Sequence, residues 1–408
     1  RHLHHSKHQT PQECLPGHLD FFGGFMNVAG QDHAGTNSSE PEGPVEKTAG
    51  QKFIALVLSI LPWAIVGTLL WAGLFVKPTA VIEEVTPPAI DRRDNILGIT
   101  QVGPDVYWAA GNYGKILIST DRAKTWTNQN STVDTHFQDI AAWDENRAVA
   151  VGNKGVAVVT DDGGKTWTSV ETPKSEISNK LLKVHVSPGG EALAVGEMGM
   201  IIQSLDYGNT WKRLRDEEDI FFNDVVRTNE NTIIIAAEAR AIEDPDAPYD
   251  PHQLVPDAYG LIFKSDDNGE TWRTIKTDSL NSFAAIDFRN ELEGVAVGLS
   301  GTIVATFDGG ETWTHIDSET SGMKEHLMDV AWSEHLKEWV GIGNKGKWIT
   351  FSGDLSSFET RFLTEAAADV KDFTSHSELA LTGDGGFIGV GETVGYMDLE
   401  TNQWTLLH

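Results

Sequence analysis

The chain has one cysteine, Cys14, in 408 residues. It allows no intramolecular disulfide and no cysteine-built zinc site, and it carries no message about redox compartment. Basic side chains are also scarce: 31 Lys and Arg stand against 60 Asp and Glu, a formal charge of −29. Nucleic acid is therefore not expected as a partner, because its phosphates need Lys and Arg to neutralise them. Docking on anionic lipid through a basic patch is unsuited for the same reason. The excess acid reads as a solvated surface. No Ser-centred nucleophile elbow, phosphate-binding glycine loop or His-Glu-x-x-His segment occurs. No catalytic residue, metal site or cofactor is expected.

What the chain does have is glycine and tryptophan at fixed spacing. Gly152-Asn153-Lys154-Gly155 is followed by a short apolar run and then by Thr160-Asp161-Asp162-Gly163-Gly164-Lys165-Thr166-Trp167. The second glycine and the tryptophan lie twelve residues apart in each clear copy: Gly114 and Trp126, Gly155 and Trp167, Gly199 and Trp211, Gly260 and Trp272, Gly301 and Trp313. A sixth copy runs from Gly346 to Phe358 with its Asp turn eroded. Self-similarity at a period of about 40 to 50 residues marks a propeller or a solenoid.

Each repeat reads as four short strands. In the second they are 137–143, 147–151, 156–160 and 166–170, rich in β-branched and small apolar residues and separated by turn residues. No room is left for helices between them. Four antiparallel strands per unit make a blade, and blades close into a ring. The inner turns begin at Gly111, Gly152, Gly196, a modified site near Ala237, Gly298 and Gly343, with a final unit beyond Leu363. The expected fold is all-β, a seven-bladed β-propeller over residues 95–408, with eight blades as the alternative. Either 383–386 or 391–395 serves as the last inner turn, and only the latter leaves Trp404 in a fourth strand. A segment near Val81–Val85 is a candidate to pair with the last blade and close the ring.

Ahead of the repeats lies a polar tail, residues 1–50, with the composition of a disordered segment. His2, His4, His5 and His8 in it read as incidental. Met26 opens a more natural start, so residues 1–25 are read as upstream material. Residues 53–76 form 24 consecutive uncharged positions between Lys52 and Lys77, enough for a helix to cross about 30 Å of hydrocarbon. Pro62 is tolerated there, and Trp71 suits an interface. A cleaved signal would be shorter and followed by a small-residue cleavage site, so an uncleaved single-pass anchor is expected. Gly67, Ala72 and Gly73 are small enough for a partner helix to approach closely. Lys47 and Lys52 precede the span and favour a cytoplasmic N-terminus. The expected location is the inner membrane, with the C-terminal domain in the periplasm after a linker at 77–94.

The repeated Asp turn invites a catalytic reading, but its physics is structural. Asp and Ser/Thr satisfy backbone N–H groups in a tight turn, glycine supplies positive φ, and tryptophan packs into the sheets. Asp121, Asp162, Asp206, Asp267 and Asp308, with Trp126, Trp167, Trp211, Trp272 and Trp313, are expected to hold blades together. This pattern resembles the Asp-box of sialidases, sortilin-type receptors and related propellers. Its longer form, Ala-Val-Gly-x-x-Gly-x-Ile/Val before Gly-Gly-x-Thr-Trp, is clearest at 149–167 and 295–313. In that form it resembles the photosystem II stability/assembly factor-like propellers.

The resemblance implies a non-enzymatic chaperone that holds an assembling membrane protein. Similar proteins with an N-terminal span occur in non-photosynthetic bacteria, commonly beside resistance-nodulation-division transporters. The implied partner is thus a polytopic membrane protein, most specifically such a transporter. The span, the acidity and the lack of a lipobox around Cys14 separate this chain from photosynthetic members, so photosystem binding is not carried over. A sialidase-like glycosidase is the enzymatic alternative. It needs an arginine cluster and a Tyr/Glu pair, whereas Tyr numbers six and no Arg-Ile-Pro segment opens the first blade. A receptor for a small ligand or glycan is the third reading.

One repeat is broken. In the fourth blade the four-residue turn becomes an insertion over 240–259 with four prolines and two tyrosines. Stiffened loops on a rigid scaffold are common binding devices. Arg240, Ile242, Tyr249, His252, Leu254 and Tyr259 are the candidate contacts, on the face opposite the Asp turns. Asp244, Asp246, Asp250 and Asp257 could instead hold Ca²⁺, but they match no loop template such as the EF-hand.

Overall fold

The computed structural model describes residues 46–75, 88–241, 258–364 and 374–407. They fall into two units divided after Glu84. In the first, helix α1 spans Ala49–Phe75 and starts four residues before the apolar run. It is long and apolar enough to cross a membrane, and none of its residues is buried. Pro62 lies inside it. A Cβ added at Gly67 or Gly73 would meet nothing within 4 Å. Val81–Val85 lies outside the described residues.

The second unit is a seven-bladed β-propeller. Seven separate sheets each contain four sequential antiparallel strands. The innermost strands are Ile96–Val102, Phe137–Ala142, Leu181–Ser187, Phe222–Arg227, Phe283–Phe288, Leu327–Ser333 and His376–Leu381. The second blade continues outward through Ala148–Gly152, Ala157–Thr160 and Thr168–Ser169. The seventh is built from the C-terminal end alone, through Phe387–Gly391, Gly395–Asp398 and Gln403–Leu406. Its inner turn is therefore 391–395, and Trp404 sits in the fourth strand. Among the described residues of this unit one short α-helix, Ser318–Ser321, lies between strands, capped by Asp317.

The core lies between blades. Val149, Val151 and Val159 of the second blade pack on Val184, Ala194 and Ile202 of the third, and the other six seams are filled in the same way. Each fully buried Val, Ile or Leu contributes about 1.5–3 kcal/mol relative to exposure, so ring closure is where the hydrophobic gain is made. The seam between the last and first blades also takes Ile90, which is buried, with Ala89 beside it. Packing thus begins inside the stretch expected to be linker. Nothing in its composition marks Ile90, because a single isoleucine acquires a partner only when the ring closes.

Glycine sets the inner turns. At Gly152 a Cβ would lie 2.2 Å from the His136 carbonyl oxygen. Lys154 and Gly155 then follow with φ of 60° and 67°, a left-handed pair suited to a hairpin.

Candidate interaction face

The strand order gives the propeller two unlike faces. One carries the Asp turns. Thr166 donates its N–H to Asp162 Oδ1 at 2.9 Å and its hydroxyl to Oδ2 at 2.7 Å, and Thr160 Oγ1 donates to Oδ1 at 2.9 Å. These bonds hold the Asp162 carboxyl below its usual range. The same geometry recurs at Asp121, Asp206, Asp267 and Asp308, and at Asp267 the hydrogen bonds from Thr271 pull the value to about 2. The eroded sixth copy keeps part of it: Asp354 accepts from Ser352 and Ser356. The tryptophan after each turn points back to the preceding blade. Trp167 meets Trp108 edge-on at 5.7 Å, Trp126 joins the seam with the seventh blade, and Trp313 joins the seam with the fourth. Trp211 and Trp272 are half-buried at their seams.

The other face carries the Gly-x-x-Gly turns. The chain enters the propeller there, since Ile96 pairs with Gly111. At the same face the base of the insertion extends the pairing of Ile233–Ala241 and Ala258–Ser265, with Arg240 opposite Tyr259. Arg240 pairs with Glu218 at 3.2 Å, and the Lys276 ammonium sits 3.3 Å from the centre of the Tyr259 ring. Ala239 donates its N–H to Ser282 Oγ at 2.8 Å. Ile242, Tyr249, His252 and Leu254 lie outside the described residues, as do Asp244, Asp246, Asp250 and Asp257. Elsewhere on this face, Tyr113, Ile177, Phe221, Leu280 and Leu299 are exposed apolar side chains on turns and links. Phe221 and Leu299 join Leu97, Leu182 and Met328 around a central depression of about 370 Å³.

Beneath it the channel is lined by charge that sequence reasoning missed. Asp139, Asp224, Asp287, Asp329 and Glu378 surround Lys183 in a cavity of about 340 Å³. Each carboxylate reaches into the next blade. Asp224 accepts the N–H of Ile286 at 2.9 Å, Asp287 that of Trp332 at 2.9 Å, Asp329 that of Leu379 at 2.8 Å and Glu378 that of Ile99 at 3.3 Å. Lys183 Nζ lies 2.7 Å from Glu378 and 4.0 Å from Asp139. Burial pushes Asp224 and Asp287 up to about 7. Burial opposes the Lys183 charge, but Asp139 and Glu378 outweigh it and hold the ammonium well above its usual value. The available signal was Phe-x-Asp or Leu-x-Asp, repeated at 137–139, 222–224 and 327–329.

Among the described residues no group of His, Cys, Asp and Glu is arranged to hold a metal ion. The arginines do not converge. Each one from Arg122 to Arg361 is paired with a carboxylate, among them Arg147 with Asp144, Arg227 with Glu191 and Arg289 with Glu293.

The family model for the photosynthesis system II assembly factor YCF48 matches residues 122–222, from the first Asp turn to the start of the fourth blade. That stretch is similar to YCF48. Among solved structures, YCF48 bound to D1 peptide matches with a TM-score of 0.56 at 14% identity, over 75% of this chain and 96% of that one. YCF48 from Cyanidioschyzon merolae matches with 0.53 at 15%, over 73% and 92%. An ancestral GH74 enzyme matches with 0.57 at 13%, over 76% of this chain and 46% of its own. At such identities the likeness is one of fold, and propellers host unrelated functions. No curated protein matches the chain.

Proposed function

We propose that this protein is a non-enzymatic, membrane-anchored propeller that scaffolds or stabilises a membrane protein complex. The observation that carries the reading is the sidedness of the Gly-x-x-Gly face. The first inner strand begins there, the paired base of the insertion extends there, and Tyr113, Phe221, Leu280 and Leu299 stand exposed there. Exposed aromatic and aliphatic side chains on one face form the kind of surface that protein partners bury. YCF48, similar over 122–222, has been seen with a D1 peptide. On this chain the contact we propose rests on the exposed apolar side chains of that face. An anchor through α1 restricts diffusion to the bilayer and raises the effective concentration at a membrane partner. Gly67, Ala72 and Gly73 are small enough to let a partner helix approach closely.

The partner we propose is a polytopic protein of the inner membrane, most specifically a resistance-nodulation-division transporter, with the propeller in the periplasm and the N-terminus in the cytoplasm. The test is recovery of the native protein from membranes in mild detergent, with mass spectrometry of the co-purifying chains. The reading expects one polytopic protein in near-stoichiometric amount, lost when 242–257 is replaced by a two-residue turn or when Phe221 and Leu299 become Asp. Equal recovery with all variants, or no partner, overturns it.

A further inference from the structure

The ring closes where the seventh blade meets the first, and at the Asp-turn face that seam holds a cavity of about 460 Å³. One wall carries Arg122, Ala123 and Lys124 of the first blade, and the other Thr382, Asp384 and Thr405 of the seventh. Arg122, Lys124 and Asp384 are exposed side chains, so a bound molecule reaches them directly.

Both walls depart from the repeat. In the second and fifth Asp turns the two residues after the Asp are glycines with left-handed φ, Gly163 and Gly164, Gly309 and Gly310. The first turn has Arg122 and Ala123 there, with φ of 65° and 60°. A side chain in that region is strained, and such strain gathers at functional sites. Across the cavity, Asp384 stands in half an Asp turn. Thr382 donates its hydroxyl to Oδ1, and Gly386 donates its N–H to Thr382 Oγ1 at 3.0 Å, as in the full copies. In the five full copies a Thr four residues on donates its hydroxyl to the second oxygen. Here that position is Ile388, and Asp384 has the Tyr396 hydroxyl beside it instead. The Thr382 hydroxyl holds the Asp384 carboxyl below its usual range. Arg122 bonds Asp105 through Nε at 2.6 Å, which uses one of its five N–H groups. It feels Asp384 across the cavity without forming an ion pair with it.

We propose that this cavity binds a small zwitterion with an apolar body, the chemistry shared by free amino acids and short peptides. Its carboxylate sits against Arg122 and Lys124, and its ammonium against Asp384. A simple anion on Arg122 would face Asp384 and Asp105, and a simple cation on Asp384 would face Arg122 and Lys124. A molecule with both charges meets an opposite charge on each wall. Pro104, Tyr107 and Leu407 line the space between and supply apolar surface for the body. Burial pushes the Tyr107 hydroxyl up to about 12, so it adds no charge of its own. The volume falls within the range of small-molecule sites. This site lies on the Asp-turn face and does not depend on the partner reading.

The experiment is isothermal titration calorimetry on the full chain in an uncharged detergent, with L-leucine, L-phenylalanine and leucylphenylalanine as probes. The N-acetylated form of each, which lacks the ammonium, and the C-amidated form, which lacks the carboxylate, are the controls. We expect at least one zwitterion to bind, and its two blocked forms to bind at least tenfold more weakly. Binding of the dipeptide alone assigns the site to peptides, and binding of either amino acid assigns it to free amino acids. Arg122→Gly removes the guanidinium and the left-handed strain together, and the exposed pair with Asp105 that goes with it contributes little. Affinity should therefore fall at least tenfold while Tm holds or rises, an outcome that a merely structural role for Arg122 would not give. Asp384→Asn, which keeps an acceptor for Thr382, should weaken binding at least tenfold as well. No binding by any of the three zwitterions overturns the proposal. So does binding that survives Arg122→Gly, or binding that the blocked forms share.

Discussion

Asp139 of the second blade accepts the backbone N–H of Val184, in the third, at 2.8 Å, and its other oxygen accepts the N–H of Ile140 at 2.7 Å. One side chain thus ties two blades at the axis, and four more carboxylates do the same around the ring. The arrangement makes stability depend on pH in an unusual direction. Burial raises Asp224 and Asp287 to about 7, whereas in the unfolded chain an Asp titrates near 4. Between those values the folded form holds more protons, so its stability falls as pH rises. Asp139, Asp329 and Glu378 shift in the same direction, each through burial. His185, lowered to about 4 by burial and Arg227, opposes them as a single group. The propeller should therefore melt at higher temperature at pH 5 than at pH 8. Calorimetry across that range checks it, and a higher Tm at pH 8 would contradict the raised carboxylates.

The outer face answers to acid differently. Asp162 and Asp267 are held low by their turn hydrogen bonds, so their contribution is present above pH 4 and lost as pH falls through the folded value, about 2 for Asp267. Asp162→Ala removes the acceptor for Thr160 and Thr166. Tm should drop by a few degrees with partner and ligand binding unchanged. An unchanged Tm with lost binding would show that the turn is a site and not a brace.

Gly163 and Gly164 separate backbone strain from packing. Both have left-handed φ, 74° and 78°, but a Cβ at Gly163 meets nothing closer than 3.5 Å, while one at Gly164 would lie 2.8 Å from the Trp108 ring. Left-handed strain costs an Ala about 1–2 kcal/mol at either position. Pushing Trp108 aside adds about 1–3 kcal/mol at Gly164 only. Urea denaturation of the two Ala variants should show Gly164→Ala as the less stable by that difference. Equal losses would mean that Trp108 yields without cost.

The blades were legible because their signals are local. A turn of Gly152, Lys154 and Gly155 and a turn of Thr160, Asp162 and Gly164 each close on themselves, and a spacing of twelve residues recurs whether or not the ring has formed. The insertion was legible for the same reason, as a break in the four-residue inner turn of the fourth blade. What acts across the ring was not. Asp287 sits two residues further along its strand than Asp224 does, and Lys183 replaces an acid. Their convergence becomes visible only once seven inner strands share an axis. The cavity at the closing seam was hidden likewise, since Arg122 and Asp384 belong to the first and last blades and face each other only across the closed ring.

Lys183 tests the ring most sharply, because among the described residues it is the one lysine or arginine lining a channel with five acids. Lys183→Met keeps most of the side-chain length and removes the charge. Glu378 and Asp139 then lose the ammonium that favours their ionised forms. At pH 8 those carboxylates must either stay charged without a partner or take protons from dilute solution. Removing one member of a buried ion pair typically costs about 3–5 kcal/mol. At pH 5 protons are a thousandfold more abundant, burial favours their uptake by these carboxyls in the folded chain, and the missing cation matters less. The variant should therefore lose far more stability at pH 8 than at pH 5, steepening the slope seen in the parent. If it loses the same amount at both, the carboxylates are already neutral at pH 8 and Lys183 acts there only through the packing of its stem.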